Sequence, residues 1–464
     1  MNDTARSTPI IDSLADFAAH TRYEDLPGQV VTATKHVLLD SIGSGLGGVT
    51  TDPGKIAISV AQALGGPPEC AIFGTGARVS ITNAVFANGQ LVNALDFDTV
   101  MAGGHTPPYI VPTMMAAAER QDASGRELVT ATAIALEIAA RIGTAVPRAM
   151  QFVGESKEFR YAKREGYARV NFGAAAGAGR LHGLDVPDMV QALAHAGHMS
   201  QLNTWSRGNY AIPRNLAKYG YSGWQNTGAI LAVMLAEQGL PGDVSLLDDD
   251  EHGYGEFSGY DAWDPSGITA NIGDRWLITE TPIPFKPYAC CTMLHRGIEC
   301  FEAILAEHRL RPDEIDSVVV TASPTVAAEL FQDRTLDNIV DFQFGMPYVI
   351  AMSAYGERTG ADWQDWQKLS HPRIRAFADK VTLAPEPDYG ETQLSTVTVT
   401  ARGQEFQHGL AGGTAPLDEA ALVAKFANNA ARVLTQRKSA AATDALLGLE
   451  GLADLTMLVR DLSA

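Results

Sequence analysis

Through most of the first 275 residues, apolar side chains recur every three to four positions, the spacing of helices with one buried face. "LPGQVVTATKHVLLDSIGSGLGGV", "ITNAVFANGQLVNALDF", "YIVPTMMAAAERQ" and "GRELVTATAIALEIAARIGTAV" carry this period. So do "NFGAAAGAGRLHGL", "VPDMVQALAHAGHMSQL" and "SGWQNTGAILAVMLAEQGL". The joining turns hold Gly, Pro or Asp, and in "LHGLDVPD" Asp185 stands where it can cap the next helix. The many glycines and alanines predict helices whose backbones approach closely.

The period changes after about residue 275. "WLITETPIPFKPYA" has strand-forming residues punctuated by prolines and reads as a crossover between domains. "IDSVVVTAS", "DKVTLAP" and "QLSTVTVTARGQEF" are β-branched and partly alternating, which predicts strands. Helices are predicted between them at "TMLHRGIECFEAILAEH" and "IVDFQFGMPYVIAMSAYG", and again from "LDEAALVAKFANNAARVL" to the end. The expected fold is mainly α. A large helical domain spans 1–275, a smaller α+β domain spans 276–410, and helices over 411–464 pack back on the first domain. The chain shows no internal repeat and no low-complexity segment.

Composition narrows the function. Apolar residues are 46 % of the chain, ample for a sizeable core, and 35 basic against 54 acidic side chains give a formal net charge of −19. That balance argues against nucleic acid, whose binding needs basic patches, but not against a small anionic substrate. The four cysteines, Cys70, Cys290, Cys291 and Cys300, make no Cys-x-x-Cys pair, so a disulfide framework is not expected. The opening "MNDTARSTPIIDSLADF" has no signal-peptide pattern, and no apolar run reaches the roughly 18–20 residues of a membrane span. A cytoplasmic, membrane-free location is expected.

Candidate chemistry concentrates in "LVNALDFDTVMAGGHT". Asp96 and Asp98 fall at a predicted helix C-terminus, where the dipole disfavours negative charge. A solvated turn is one reading. The other is a site in which Gly103 and Gly104 bend the chain so that His105 returns over the aspartates as a general acid or base. Lys218, with Arg214 nearby, precedes a long helix and reads either as a carboxylate clamp or as a surface lysine. "FKPYACCTMLHRGIEC" holds Lys286, Tyr288, His295 and Arg296; adjacent cysteines are no normal metal pair, and buried thiols are the simpler reading. His195 and His198 share a helical face but lack a partnering carboxylate. "FGTGARVS" and "NFGAAAGAG" do not sit in a βαβ unit, so a dinucleotide site is a weak reading. No metal site is expected.

Taken together, these blocks resemble the MmgE/PrpD family, which includes 2-methylcitrate dehydratase, cis-aconitate decarboxylase and iminodisuccinate epimerase. The resemblance runs from "FGTGARVSITNAVFANGQLVNALDFD" and "GGHTPPYIVPTMMAAAERQDASGRELVTATAIALEIAARIG" through "NFGAAAGAGRLHGLD", "AKYGYSGWQNTGAILAVMLAEQGLPG" and "FKPYACCTMLH" to the helix around Lys425 and Phe426. It implies a helical domain bearing an α+β lid, a homodimer, and catalysis without metal or organic cofactor. By position it places Asp96, Thr99 and His105 on the family's site segment, Lys218 on its substrate-facing lysine and His295 on a domain-junction histidine. The sequence departs from the family where a His-Pro-Thr segment usually precedes the "FGAAA" helix; here "REGYARVNFG" offers Arg164, Tyr167 or Arg169, with His198 on the neighbouring helix as the alternative.

The implied reaction begins at a proton on carbon beside a carboxylate. Lys218, with Arg214 or Arg169, would hold carboxylates, with Lys286 and Tyr288 as further substrate contacts. His105, oriented by Asp96, would be the acid–base group. Thr99 would donate a hydrogen bond, and His295 would act from the lid as a second proton donor or carboxylate contact. A cofactor-independent lyase on a small di- or tricarboxylate follows, a dehydratase first and a decarboxylase second. An epimerase and a non-catalytic carboxylate-binding homologue are the alternatives.

Overall fold

A computed structural model describes residues 8–101, 104–146, 150–153, 158–161, 166–218, 220–326 and 329–464. The amphipathic segments form helices at Ile10–His20, Gly28–Gly48, Asp52–Leu64, Ile81–Asn93, Val111–Arg120, Gly125–Gly143, Val170–Leu181, Val186–His198 and Ser222–Glu237. Asp185 caps its helix by accepting from the Asp188 N–H, as its position predicts. Ser124 and Glu127 close a reciprocal capping box at the start of Gly125–Gly143. Two short antiparallel ribbons, Cys70–Ala71 with Arg78–Val79 and Met150–Val153 with Glu158–Tyr161, interrupt the helices; periodicity did not predict them.

Small residues set the helix spacing. Val170–Leu181 lies so close to Gly125–Gly143 that a Cβ on Gly177 would stand 2.7 Å from the Ala131 carbonyl oxygen and 2.9 Å from the Ala135 Cβ. A fully buried ion pair then ties the crossover to this layer. Arg141 donates to the carbonyls of Ile268, Ala270, Asn271 and Arg275, while Glu137 accepts from the Leu277 and Ile278 N–H groups. The crossover forms a 3-10 turn at Leu277–Thr279 and no named strand, because its prolines supply no N–H to a ladder.

The second half contains a four-stranded sheet in the order Val381–Pro385, Ile315–Ala322, Leu394–Ala401, Gln404–Ala411. The first pair is parallel and the others antiparallel. Ser395, Val397, Val399 and Ala401 alternate inward, as the sequence pattern requires. The stretch read as one strand over "QLSTVTVTARGQEF" is a hairpin, turned at Arg402 and Gly403 with φ 53° and 71°. Two positive φ values mark the turn that matches strand twist. Helix His295–His308 covers the sheet, and the predicted helix over "IVDFQFGMPYVIAMSAYG" divides at Gly345 into Ile339–Phe344 and Met346–Ala354. Near the C-terminus, Glu419–Ala430 lies on Gly28–Gly48, with Phe426 against Gly43. No helix among the described residues is long and apolar enough to cross a membrane.

Because Gly177 faces backbone, Gly177→Ala is expected to lower stability by about 1–3 kcal/mol through overpacking. Urea unfolding measures this, and an unchanged midpoint would show that the two helices separate without strain.

Candidate active site

The Ile81–Asn93 helix ends inside the protein, where its last carbonyl and those of the turn that follows cannot turn to water. Side chains from distant segments meet them in succession. Lys218 Nζ donates to Asn93 O at 3.0 Å, Gln343 Nε2 to Ala94 O at 2.7 Å and Gln364 Nε2 to Leu95 O at 2.6 Å. Lys286 Nζ donates to Asp96 O and Lys425 Nζ to Phe97 O, each at 2.7 Å. Cations at a helix C-terminus also oppose the dipole favourably. The chain turns at Asp96, whose φ is 52°, in the left-handed region.

Three buried lysines need counter-charge, and three buried aspartates supply it. Asp96 bridges Lys218, at 2.8 Å from Oδ1, and Lys286, at 2.9 Å from Oδ2. Asp40 pairs with Lys425 at 2.7 Å and accepts from the Thr99 N–H at 3.1 Å. Asp98 Oδ2 lies 2.7 Å from His105 Nδ1, and its other oxygen accepts from Asn93 Nδ2 at 3.2 Å. Burial pushes the Asp96 carboxyl up, but Lys218 and Lys286 outweigh it and hold the group well below the usual carboxylate range. Asp98 is likewise held down: burial raises it, and His105, with the Lys286 and Lys218 cations, more than compensates. Burial lowers Lys286, yet Asp96 and Asp98 raise it overall.

The structure brings Asp96, Asp98, His105, Lys218 and Lys286 together and exchanges the roles expected of the two aspartates. Asp98, not Asp96, orients His105; with the left-handed turn at Asp96, the nearer carboxylate faces the lysines. Gly104, at φ 100°, makes the bend that returns His105, and Tyr167 packs edge-on against the imidazole. Gly103 and Arg164 lie outside the described residues. Lys218 is buried rather than a surface lysine.

Other expectations are corrected. Thr99 directs its hydroxyl to Pro284 O at 3.0 Å and so fastens the loop to the crossover instead of facing substrate. Tyr288 donates to Glu302 at 2.7 Å and stacks on Trp363, so its hydroxyl points away from the cluster. His198 does not reach in: its side chain is 54 % exposed and stacks on Phe257. Arg169 donates to Gly166 O, and its backbone N–H to the Tyr260 hydroxyl. Arg214 is buried, with its guanidinium 4.0 Å over the Phe344 ring and its backbone N–H donating to Asp341, and nothing in this placement conflicts with the carboxylate-binding expectation. Arg296 holds the Ala411, Gly412 and Gly413 carbonyls and pairs with the Glu299 carboxylate at 2.6 Å, so its donors are taken within the protein.

His295 is fully buried, with Nε2 3.3 Å from Cys290 O and Nδ1 without a hydrogen-bond partner among the described residues. Burial, reinforced by the Lys286 cation, pushes its imidazole down to about 3. It is neutral near pH 7, which removes it as the second proton donor. Cys290 is a buried thiol whose pKa burial raises, in line with the structural reading. Among the described residues no group of three or more His, Cys, Asp or Glu is arranged to hold a metal. Sequence reasoning missed Asp40, Asn93, Gln343 and Gln364, and used Lys425 only as part of a motif. The available signal was a charge inside an apolar stripe, "VLLDSIG" and "LVAKFAN".

A helical domain joined to a smaller α+β domain, with a Lys–Asp–His cluster buried at the end of one helix, defines the class. The chain belongs to the MmgE/PrpD family: it matches the MmgE/PrpD N-terminal domain over residues 12–266 and the C-terminal domain over residues 288–449. Similar proteins include human cis-aconitate decarboxylase, 25 % identical over 97 % of this chain and 93 % of the relative. The cis-aconitate decarboxylase of Aspergillus terreus is 22 % identical over 98 % of this chain and 96 % of its own length. These relatives support a lyase acting on a carboxylic acid.

The neutral His295 carries a pH signature. Its folded-state pKa, about 3, is below the ordinary 6.5, so its contribution to stability is complete above 6.5 and is lost as pH falls toward 3. The loss is ~1.4 kcal/mol per pH unit within that window. His295→Gln is expected to flatten the fall in urea-unfolding free energy between pH 6 and pH 4 by about that slope. Parallel wild-type and variant curves would contradict the buried, neutral assignment.

Proposed function

We propose that this chain is a lyase that removes CO₂ from a small di- or tricarboxylate, with dehydration as the alternative outcome of the same machinery. The observation that carries the reading is the His105–Asp98 dyad beside an aspartate shared by two buried lysines. With Nδ1–H donated to Asp98, the ring is held in one orientation and the imidazole presents Nε2 for proton transfer. Lys218 and Lys286 would meet substrate carboxylates; an ammonium has three donors, and Lys286 directs two of them to Asp96. Arg214 is the candidate for a more distant carboxylate.

In decarboxylation the C–C bond to the departing carboxylate breaks and its electron pair passes into the neighbouring unsaturated or carboxylate system. The lysines stabilise that charge, and His105 delivers a proton to carbon. In dehydration His105 takes the proton instead and hydroxide leaves. The names of the relatives favour the first. No step calls on a metal, so activity is expected to survive exhaustive chelation. A homodimer is proposed from the family resemblance.

The test is a panel of cis-aconitate and other hydroxy-, amino- and unsaturated polycarboxylates, assayed in D₂O for CO₂ release, water loss and deuterium at carbon. Release of CO₂ with one deuterium retained is expected. His105→Ala and Asp98→Asn should each lower kcat by roughly 10²–10⁴-fold. Exchange without CO₂ or water loss would point to an epimerase, and no reaction across the panel would overturn the enzyme reading.

A further inference from the structure

We propose that Asp40 and Lys425 are positioning residues for the Asp98–His105 dyad, acting through the peptide units on either side of Asp98. The inference rests on His105 being the acid–base group. Asp98 is preceded by Phe97, whose carbonyl accepts from Lys425 at 2.7 Å, and followed by Thr99, whose N–H donates to Asp40 at 3.1 Å. The 2.7 Å pair between Lys425 and Asp40 closes the ring. The Lys425 ammonium also lies 3.8 Å above the Phe97 ring, which fixes the side chain beside the carbonyl it binds.

This ring restrains the backbone of Asp98 from both directions. Asn93 holds one carboxylate oxygen and His105 takes the other, so the Asp98 side chain also has little freedom left. The clamp is mounted on rigid parts. Asp40 projects from the interior of Gly28–Gly48 and Lys425 from Glu419–Ala430, two helices in contact where Phe426 meets Gly43. Burial works against both charges, raising the Asp40 carboxyl and lowering the Lys425 amine from their ordinary values. An apolar pair in such a place is often equally stable or more so. Stability alone therefore does not call for ions here, whereas an acceptor for Thr99 N–H and a donor for Phe97 O do. A displacement of about 1 Å in a catalytic group can lower a rate 10²-fold, so the dyad is sensitive to this clamp.

The decisive variant is Asp40→Leu/Lys425→Met, which removes both charges together and leaves no buried ion unpaired. Two readouts are needed beside a thermal unfolding curve. One is the split between kcat and KM. The other is the downfield Nδ1 proton of His105 in the full-length, ring-¹⁵N-histidine protein, assigned by its loss in His105→Gln. The expected result is a folded protein with kcat lowered roughly tenfold or more, KM within about threefold, and the resonance shifted or exchange-broadened. Asp40→Asn, which removes the charge from the Thr99 N–H acceptor but leaves Lys425 a polar neighbour and its Phe97 contact, should perturb the same resonance and covers the case in which the double variant does not fold. A wild-type kcat with an unmoved resonance overturns the proposal, as does a raised KM at unchanged kcat. If the wild-type protein turns over no polycarboxylate, the lyase reading fails and the resonance alone decides whether the clamp exists.

Discussion

The end of one helix governs the rest of the site. A helix that stops in solvent leaves its last carbonyls to water; Ile81–Asn93 stops in the interior, and the carbonyls of Asn93 and of the turn that follows, Ala94 to Phe97, each accept from a side chain of a distant segment. Three of those donors are lysines, so capping the helix brings positive charge into the core. Buried charge is tolerated only when paired. Asp96 and Asp40 balance the three ammonium groups together with Asp98, which also turns toward His105. The electrostatic character of the centre is thus a consequence of how a backbone is satisfied.

The same constraint explains why the site and the fold cannot be separated. Lys218 comes from the loop before Ser222–Glu237, Lys286 from the crossover, Gln343 and Gln364 from the second half, and Lys425 from a helix near the C-terminus. Each reaches the helix end only when its own segment is packed. The buried Glu137–Arg141 pair bears on this directly, because it ties down the segment leading to Lys286.

Legibility in the sequence followed the range of the interactions. Helices with a strong 3.6-residue period were readable, as was the alternating strand Leu394–Ala401, since burial on one face leaves a local trace. The hairpin turn at Arg402–Gly403 was not, because "ARGQ" is a less distinctive turn than Asn-Gly. The aspartates and His105 were legible as a group, but their pairing was not. Two carboxylates two residues apart differ only in backbone direction, and the left-handed residue at Asp96 is a tertiary outcome. Asp40 and Lys425 sit in helices 385 residues apart in number, and nothing local distinguishes their partnership from two stray charges.

Two histidines show how environment divides one chemistry. His105 has a carboxylate at 2.7 Å on Nδ1, which fixes the orientation of the ring. His295 is fully buried with the Lys286 cation in range, and both make a second proton less welcome, outweighing the Cys290 carbonyl, which favours it. A ring pushed down to about 3 stays neutral through the physiological range, with one N–H to donate a hydrogen bond and one nitrogen to accept one. On sequence alone His105 takes the acid–base role and His295 that of a second proton donor or carboxylate contact. The charges around them leave His105 as the acid–base group of the proposed reaction, and they leave Asp98 as the residue whose placement that reaction depends on.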